Sequence, residues 1–165
     1  MAFKDEIPVV RHSWPRPNVK SGSFVYDVAL PTLYDWKPTQ SELRTLTSVL
    51  WKIKDKKSRF ERLEVDKELS KQIFQDNEFK LKQIQGMPGE TVTLYRVDQH
   101  IDISVGPMIG DTSFVGRANF TAVHRIQSAD GQLYRFQGLA IPMQIPISHY
   151  AYQVLCRQAE ALNTT

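Results

Sequence analysis

Apolar and polar residues alternate with a period of two over residues 23–30, with Phe24, Tyr26, Val28 and Leu30 on one side and Val25, Asp27 and Ala29 on the other. That period predicts a half-buried β-strand. The period then changes. Pro38-Thr39-Gln40-Ser41-Glu42 places a Thr N-cap three residues before a Glu, a capping box that opens a helix. Leu43, Leu46, Leu50 and Ile53 follow at helical spacing as one apolar stripe. Residues 60–65 read as a short strand, after which Asp66 can cap a helix that sets Leu69 and Ile73 one turn apart with Phe74 alongside. Asp76-Asn77 stops that helix, and Phe79, Leu81 and Ile84 fit a short helix or a strand equally well.

The stretch 91–142 organises the chain. Gly86-Met87-Pro88-Gly89 turns into a strand beginning near Thr91, and a strand-like segment over 95–103 runs into the Gly106-Pro107 turn. Longer strands over 114–126 and 132–141 are joined at Asp130-Gly131, a short-range hairpin signal. Ser104 and Met108 flank the Gly-Pro turn at the end of the sheet, where loops usually carry function. Beyond Pro146, Ser148 can cap a last helix with Ala151, Leu155 and Leu162 inward, and residues 163–165 are expected to fray.

The first twenty residues contain Pro8, Pro15 and Pro17, so no helix continues past about Ile7. They read as an extended connector at the end of an upstream helix, with Arg11, His12 and Arg16 either solvated or reaching RNA. The expected layout is a connector over 1–20, an α+β domain over 21–145, and a C-terminal helix over 146–165 packed on it. The fold class is α+β, an antiparallel sheet with helices packed on one side.

At 165 residues and 41% hydrophobic, the chain can bury one core. Its +3 charge and pI near 9.0 lean toward an anionic partner, mildly, since 18 acids offset 21 bases. Lys52, Lys54, Lys56 and Lys57, continuing to Arg59, form the most basic patch. Such a patch neutralises phosphates, or solubilises a helix end whose dipole favours cations. The single cysteine, Cys156, excludes an internal disulfide and a cysteine-based zinc site. No run of about 18 apolar residues is present, nor a signal peptide or an Arg/Ser-rich presequence.

The segment Tyr95-Arg96-Val97-Asp98-Gln99-His100-Ile101-Asp102-Ile103-Ser104-Val105-Gly106-Pro107 resembles the second additional, editing domain of threonyl-tRNA synthetase. That family carries Asp-Leu-Cys-Arg-Gly-Pro-His here, so Asp102, Gly106 and Pro107 match, while Ser104 stands at the Cys and Met108 at the His. Gly22-Ser23-Phe24-Val25-Tyr26-Asp27, Phe60-Glu61-Arg62-Leu63-Glu64-Val65 and Arg135-Phe136-Gln137-Gly138 extend the likeness over about residues 22–142. The chain is more similar still to the synthetase-derived proteins of the mitochondrial large ribosomal subunit. It shares with them Ala2-Phe3-Lys4-Asp5-Glu6, Asp35-Trp36, Ile73-Phe74-Gln75, Ala122-Val123-His124 and the loss of the Cys and His. This resemblance implies a mitochondrial, non-catalytic ribosomal protein whose partners are large-subunit rRNA and neighbouring ribosomal proteins, with no cofactor, metal or small-molecule substrate. It also implies an upstream domain preceding Met1, and Lys52, Lys54, Lys56, Lys57 and Arg59 as RNA contacts.

The residues support that expectation chemically. Hydrolysis of a mischarged aminoacyl ester needs donors that can activate a water. The Ser104 hydroxyl ionises far above neutral pH, and the Met108 thioether accepts no proton. His12, His100, His124 and His149 lack metal-ligand spacing and read as packed or surface residues. Ser104 has no nucleophile-elbow sequence, and no phosphate loop is present. Tyr95, Phe120, Tyr134 and Phe136 read as core in preference to stacking platforms. An aminoacyl-tRNA trans-editing hydrolase, or a module that holds a tRNA acceptor end uncut, are the alternatives.

Overall fold

A computed structural model of the chain describes residues 7–15 and 23–164. In chain order the elements are β1 (Val10–Ser13), β2 (Ser23–Ala29), α1 (Gln40–Asp55), β3 (Glu61–Asp66), α2 (Lys67–Ile73), α3 (Glu78–Gly86), β4 (Thr91–Val97), β5 (His100–Ile103), β6 (Val115–Ser128), β7 (Gly131–Pro142) and α4 (His149–Glu160). The α+β class and the antiparallel pairing are as expected. The single sheet is not. The strands divide into a four-stranded sheet, β1-β2-β7-β6, and a three-stranded sheet, β3-β4-β5.

Two expectations change with that division, and one open choice is settled. Val10–Ser13, expected as connector, pairs antiparallel with β2 as an edge strand. Arg11 and His12 are therefore occupied: Arg11 donates to the Ile101 carbonyl at 2.9 Å, and His12 sits 3.3 Å from Asp130. Arg16 and the start of the connector lie outside the described residues. The 95–103 segment is a hairpin: β4 ends at Val97, Asp98 turns the chain at φ +53, and β5 returns in register. Residues 78–86 are helical, with Asn77 accepting from the Lys80 amide at its N-cap.

Local signals did fix several elements. At α1, Thr39 Oγ1 accepts from the Glu42 amide at 3.3 Å while Glu42 Oε2 accepts from the Thr39 amide at 2.7 Å, a complete capping box. Ser148 accepts from Ala151 N–H at the start of α4. Asp66 precedes α2 but makes no side-chain cap. Leu69 and Ile73 on α2 are exposed, and Phe74 and Ser70 carry its buried face. On α4, Tyr152 and Ala159 are buried where Ala151 is exposed.

Strand β2 is covered on both faces, so its alternation does not mark a solvent side. One face brings Phe24, Tyr26 and Val28 opposite Gly138, Phe136 and Tyr134. A Cβ at position 138 would fall 2.2 Å from the Phe24 ring, so the glycine makes room for it. Trp36 closes this face against Tyr134 and Phe136, which places Tyr134 in the core as expected, with Phe136 partly buried against it. On the other face Asp27 takes a two-pronged ion pair from Arg135 at 2.8 and 2.9 Å. Helix α4 packs there through Tyr152 and Ala159 on Leu139. The exposed edge of β6 is met by α1: Thr47 Oγ1 accepts from the Phe120 amide, and Trp51 Nε1 donates to the Ala118 carbonyl. Edge hydrogen-bonding groups are thereby satisfied by a helix in place of another strand. Helices α2 and α3 cover the second sheet around Val65, Phe74, Ile84, Val92, Leu94 and Ile103.

Candidate functional site

The C-terminal end of β5 delivers Asp102 and Ser104 to the seam between the two sheets. Asp102 is 5% exposed and Lys80, from α3, is fully buried. Their charged groups meet at 2.5 Å. The same carboxylate accepts from the Ile103 amide at 2.8 Å, from the Tyr26 hydroxyl at 2.6 Å and from Trp14 Nε1 at 3.2 Å. His100 Nε2 stands 3.9 Å away. Burial pushes the Asp102 pKa up, but the Lys80 charge and the donated hydrogen bonds outweigh it and hold the carboxyl below its ordinary range. Burial pulls the Lys80 pKa down, opposed by Asp102. Tyr26 is pushed well above the usual phenol range, by burial first and by the Asp102 charge second. The cluster is thus an ionic clamp joining β2, α3 and β5. Its carboxylate has its acceptor capacity filled and is no free general base.

Ser104 continues the β5 pairing through its amide, which donates to the Thr93 carbonyl at 3.2 Å. Its Oγ accepts from the Gly106 amide at 3.2 Å. Among the described residues it has no hydrogen bond to a histidine. Gly106 has φ +66, and a Cβ there would lie 2.2 Å from Tyr95 Oη, so the turn requires glycine. Met108 is 37% exposed. His100 is held below its ordinary pKa by burial and by the Arg11 charge, and contacts that guanidinium at 3.2 Å. His124 is lowered by burial and by Arg135. Among the described residues no three His, Cys, Asp or Glu side chains gather as a metal site.

The basic residues at the end of α1 divide. Lys56 leans on Asp98 at 3.4 Å and Lys54 on Asp55 at 3.2 Å. Lys52, Lys57 and Arg59 are exposed and have no ion pair among the described residues. Lys57 ends the helix at φ +55, and the Arg59 backbone bridges to Asp111. Lys54 and Lys57 line an open cleft of about 820 Å³ together with Arg117 of β6. Sequence reasoning missed Arg117, and it missed Lys80 and Tyr26 in the clamp. A lysine at a helical position normally reads as solvent-facing. Nothing local marks Lys80 as buried, apart from its place four residues before Ile84 on the packed face of α3.

No family model matches the chain. It is similar to the large ribosomal subunit protein mL39 of Drosophila melanogaster, with 41% identity over 159 residues, 93% of this chain and 47% of that protein. It is also similar to the threonine–tRNA ligase of Thermotoga neapolitana, at 28% identity over 81% of this chain and 21% of the ligase. The mitochondrial threonine–tRNA ligase 1 of Arabidopsis thaliana is 35% identical over 55% of this chain and 14% of the ligase. The chain thus spans about half of the ribosomal relative and 21% and 14% of these two ligases. Both resemblances read from its residues, to the ribosomal protein and to the synthetase, are borne out.

Proposed function

We propose that this chain is a non-catalytic structural component of the mitochondrial large ribosomal subunit, retaining a synthetase editing fold while holding rRNA and neighbouring ribosomal proteins. The observation that carries the reading is the similarity over 93% of the chain to a large ribosomal subunit protein. Two features of the site agree with it. Ser104 and Met108 offer no proton acceptor at neutral pH, and the Asp102 carboxylate is occupied by the clamp. The layout that goes with this proposal is an α+β domain that takes in Val10–Ser13 as an edge strand, with the final helix packed on it.

Lys52, Lys54, Lys56, Lys57 and Arg59 are the proposed rRNA contacts. The ion pairs of Lys54 and Lys56 are no obstacle, since exposed pairs contribute about 0–1 kcal/mol and a phosphate can replace the carboxylate. The test is sedimentation of the tagged full-length protein from mitochondrial lysate at moderate and high salt. Stable co-migration with the large subunit is expected. Changing Lys52, Lys54, Lys56 and Lys57 together to Glu should weaken it, with the deficit largest at moderate salt and narrowing as salt rises. Ser104→Ala and Met108→Ala should leave it unchanged. Migration of the wild-type chain as a free small protein would overturn the ribosomal reading.

A further inference from the structure

A second basic groove lies on the other side of Arg117, between α1 and α4 along the covered edge of β6. It encloses about 760 Å³, and its lining includes Arg44, Trp51, Arg117, Tyr152 and Arg157 and, among the described residues, no carboxylate. The three arginines come from three elements and are exposed. Among the described residues none has a carboxylate partner within ion-pair distance. Three converging, unneutralised guanidinium groups repel one another unless an anion joins them, and their planar forks suit phosphate oxygens.

Trp51 adds a requirement that charge alone does not explain. It is 49% exposed, and its indole N–H is tied to the Ala118 carbonyl at 2.6 Å. The ring is therefore held in one orientation with much of its surface free, as a stacking platform needs to be. Arg117 in turn lies over the Tyr152 ring, 5.4 Å from its centre, a contact that restrains the guanidinium within the groove lining. Because Arg117 also lines the cleft of Lys54 and Lys57, the two basic surfaces adjoin.

We infer that the α1–α4 groove binds a single-stranded RNA segment, its phosphates on Arg44, Arg117 and Arg157 and one base stacked on Trp51. The inference rests on the ribosomal reading for the source of the RNA but not for the binding itself. An acidic protein segment would satisfy the arginines but has no use for an oriented, half-exposed indole.

The test measures anisotropy of a fluorescein-labelled oligouridylate of about 12 nucleotides, within the site sizes of single-strand grooves, titrated with the tagged full-length protein. Trp51→Ala should weaken binding about tenfold with little change in salt dependence, while Trp51→Phe, which keeps a ring, should retain most of it. Changing Arg44, Arg117 and Arg157 together to Ala should lower the slope of log affinity against log salt by about 2, near 0.7 per phosphate. Unchanged affinity in both the Trp51→Ala and the triple-arginine proteins overturns the inference. Equal displacement by polyglutamate of matched length, with Trp51→Ala neutral, assigns the groove to an acidic protein partner and also overturns it. Failure of the wild-type chain to co-sediment with the large subunit would sink the ribosomal reading and leave the oligonucleotide result standing.

Discussion

Replacing Asp102 by Asn should destabilise the protein more than any other single change at the seam. Lys80 is fully buried, and Asp102 is its counter-charge at 2.5 Å. With that charge removed, the ammonium must stay buried and unpaired or lose its proton. Losing the proton at pH 7 costs about 5 kcal/mol, since roughly 3.4 units separate that pH from an ordinary lysine pKa at about 1.4 kcal/mol each. Local rearrangement reduces the figure, and broken buried pairs typically cost about 3–5 kcal/mol. Lys80→Met should cost less, about 1–3 kcal/mol, because Asp102 keeps the hydroxyl of Tyr26, the indole N–H of Trp14 and the Ile103 amide as donors. The double variant should recover much of the loss, with a coupling of about 2 kcal/mol. The sign of the pH dependence is fixed as well. In Asp102→Asn the folded chain holds Lys80 neutral while the unfolded chain protonates it. Between pH 7 and 9 the unfolded state therefore binds more protons, and stability should climb by up to about 1.4 kcal/mol per pH unit. Urea unfolding followed by tryptophan fluorescence at pH 7, 8 and 9 measures all four proteins. A loss under about 1 kcal/mol for Asp102→Asn, or a flat profile from pH 7 to 9, would refute the clamp.

Two further predictions follow from the same geometry. Gly106 and Gly89 both have positive φ, +66 and +79, but an added Cβ meets Tyr95 Oη at 2.2 Å in the first case and nothing within 4 Å in the second. Gly89→Ala should cost about 1 kcal/mol and Gly106→Ala about 2–4 kcal/mol, the difference reporting the Tyr95 contact in thermal unfolding. The pKa values of His100 and His124 are both depressed in the folded chain, chiefly by burial. Below the ordinary histidine pKa the unfolded chain takes up protons that the native chain refuses, so stability should fall as pH drops from 7 toward 5. His124 Nε2 is buried without a hydrogen-bond partner among the described residues, so His124→Gln should flatten part of that fall in a melting-temperature series.

What could be read in the sequence was what depends on neighbours along the chain. Thr39 with Glu42, Ser148 with Ala151, and Gly131 at φ +106 closing the β6–β7 hairpin are contacts within a few residues, and each formed. The division into two sheets depends on a turn at Asp98-Gln99 that lacks glycine and on Val10–Ser13 finding β2 across a proline-bearing segment. Neither leaves a periodic trace. The basic surface was half legible for a similar reason. Lys52, Lys54, Lys56 and Lys57 stand out because they fall within six residues of sequence at the end of α1, whereas Arg44, Arg117 and Arg157 are brought together only by the packing of α1 and α4 on β6.

The pattern of matches to the synthetase motif has a physical order. Asp102 and Gly106 agree with it, and each has a duty to the fold here: one closes the seam, the other accommodates Tyr95 at positive φ. Ser104 and Met108 depart from it, and the fold asks little of either side chain. The pairing at position 104 runs through its amide, which any non-proline residue supplies, and Met108 lies partly in solvent. Chemistry can therefore be lost at these two positions at small cost to stability, whereas changes at Asp102 or Gly106 damage the scaffold. On the proposed ribosomal role, the chain is free to change at the first pair and constrained at the second.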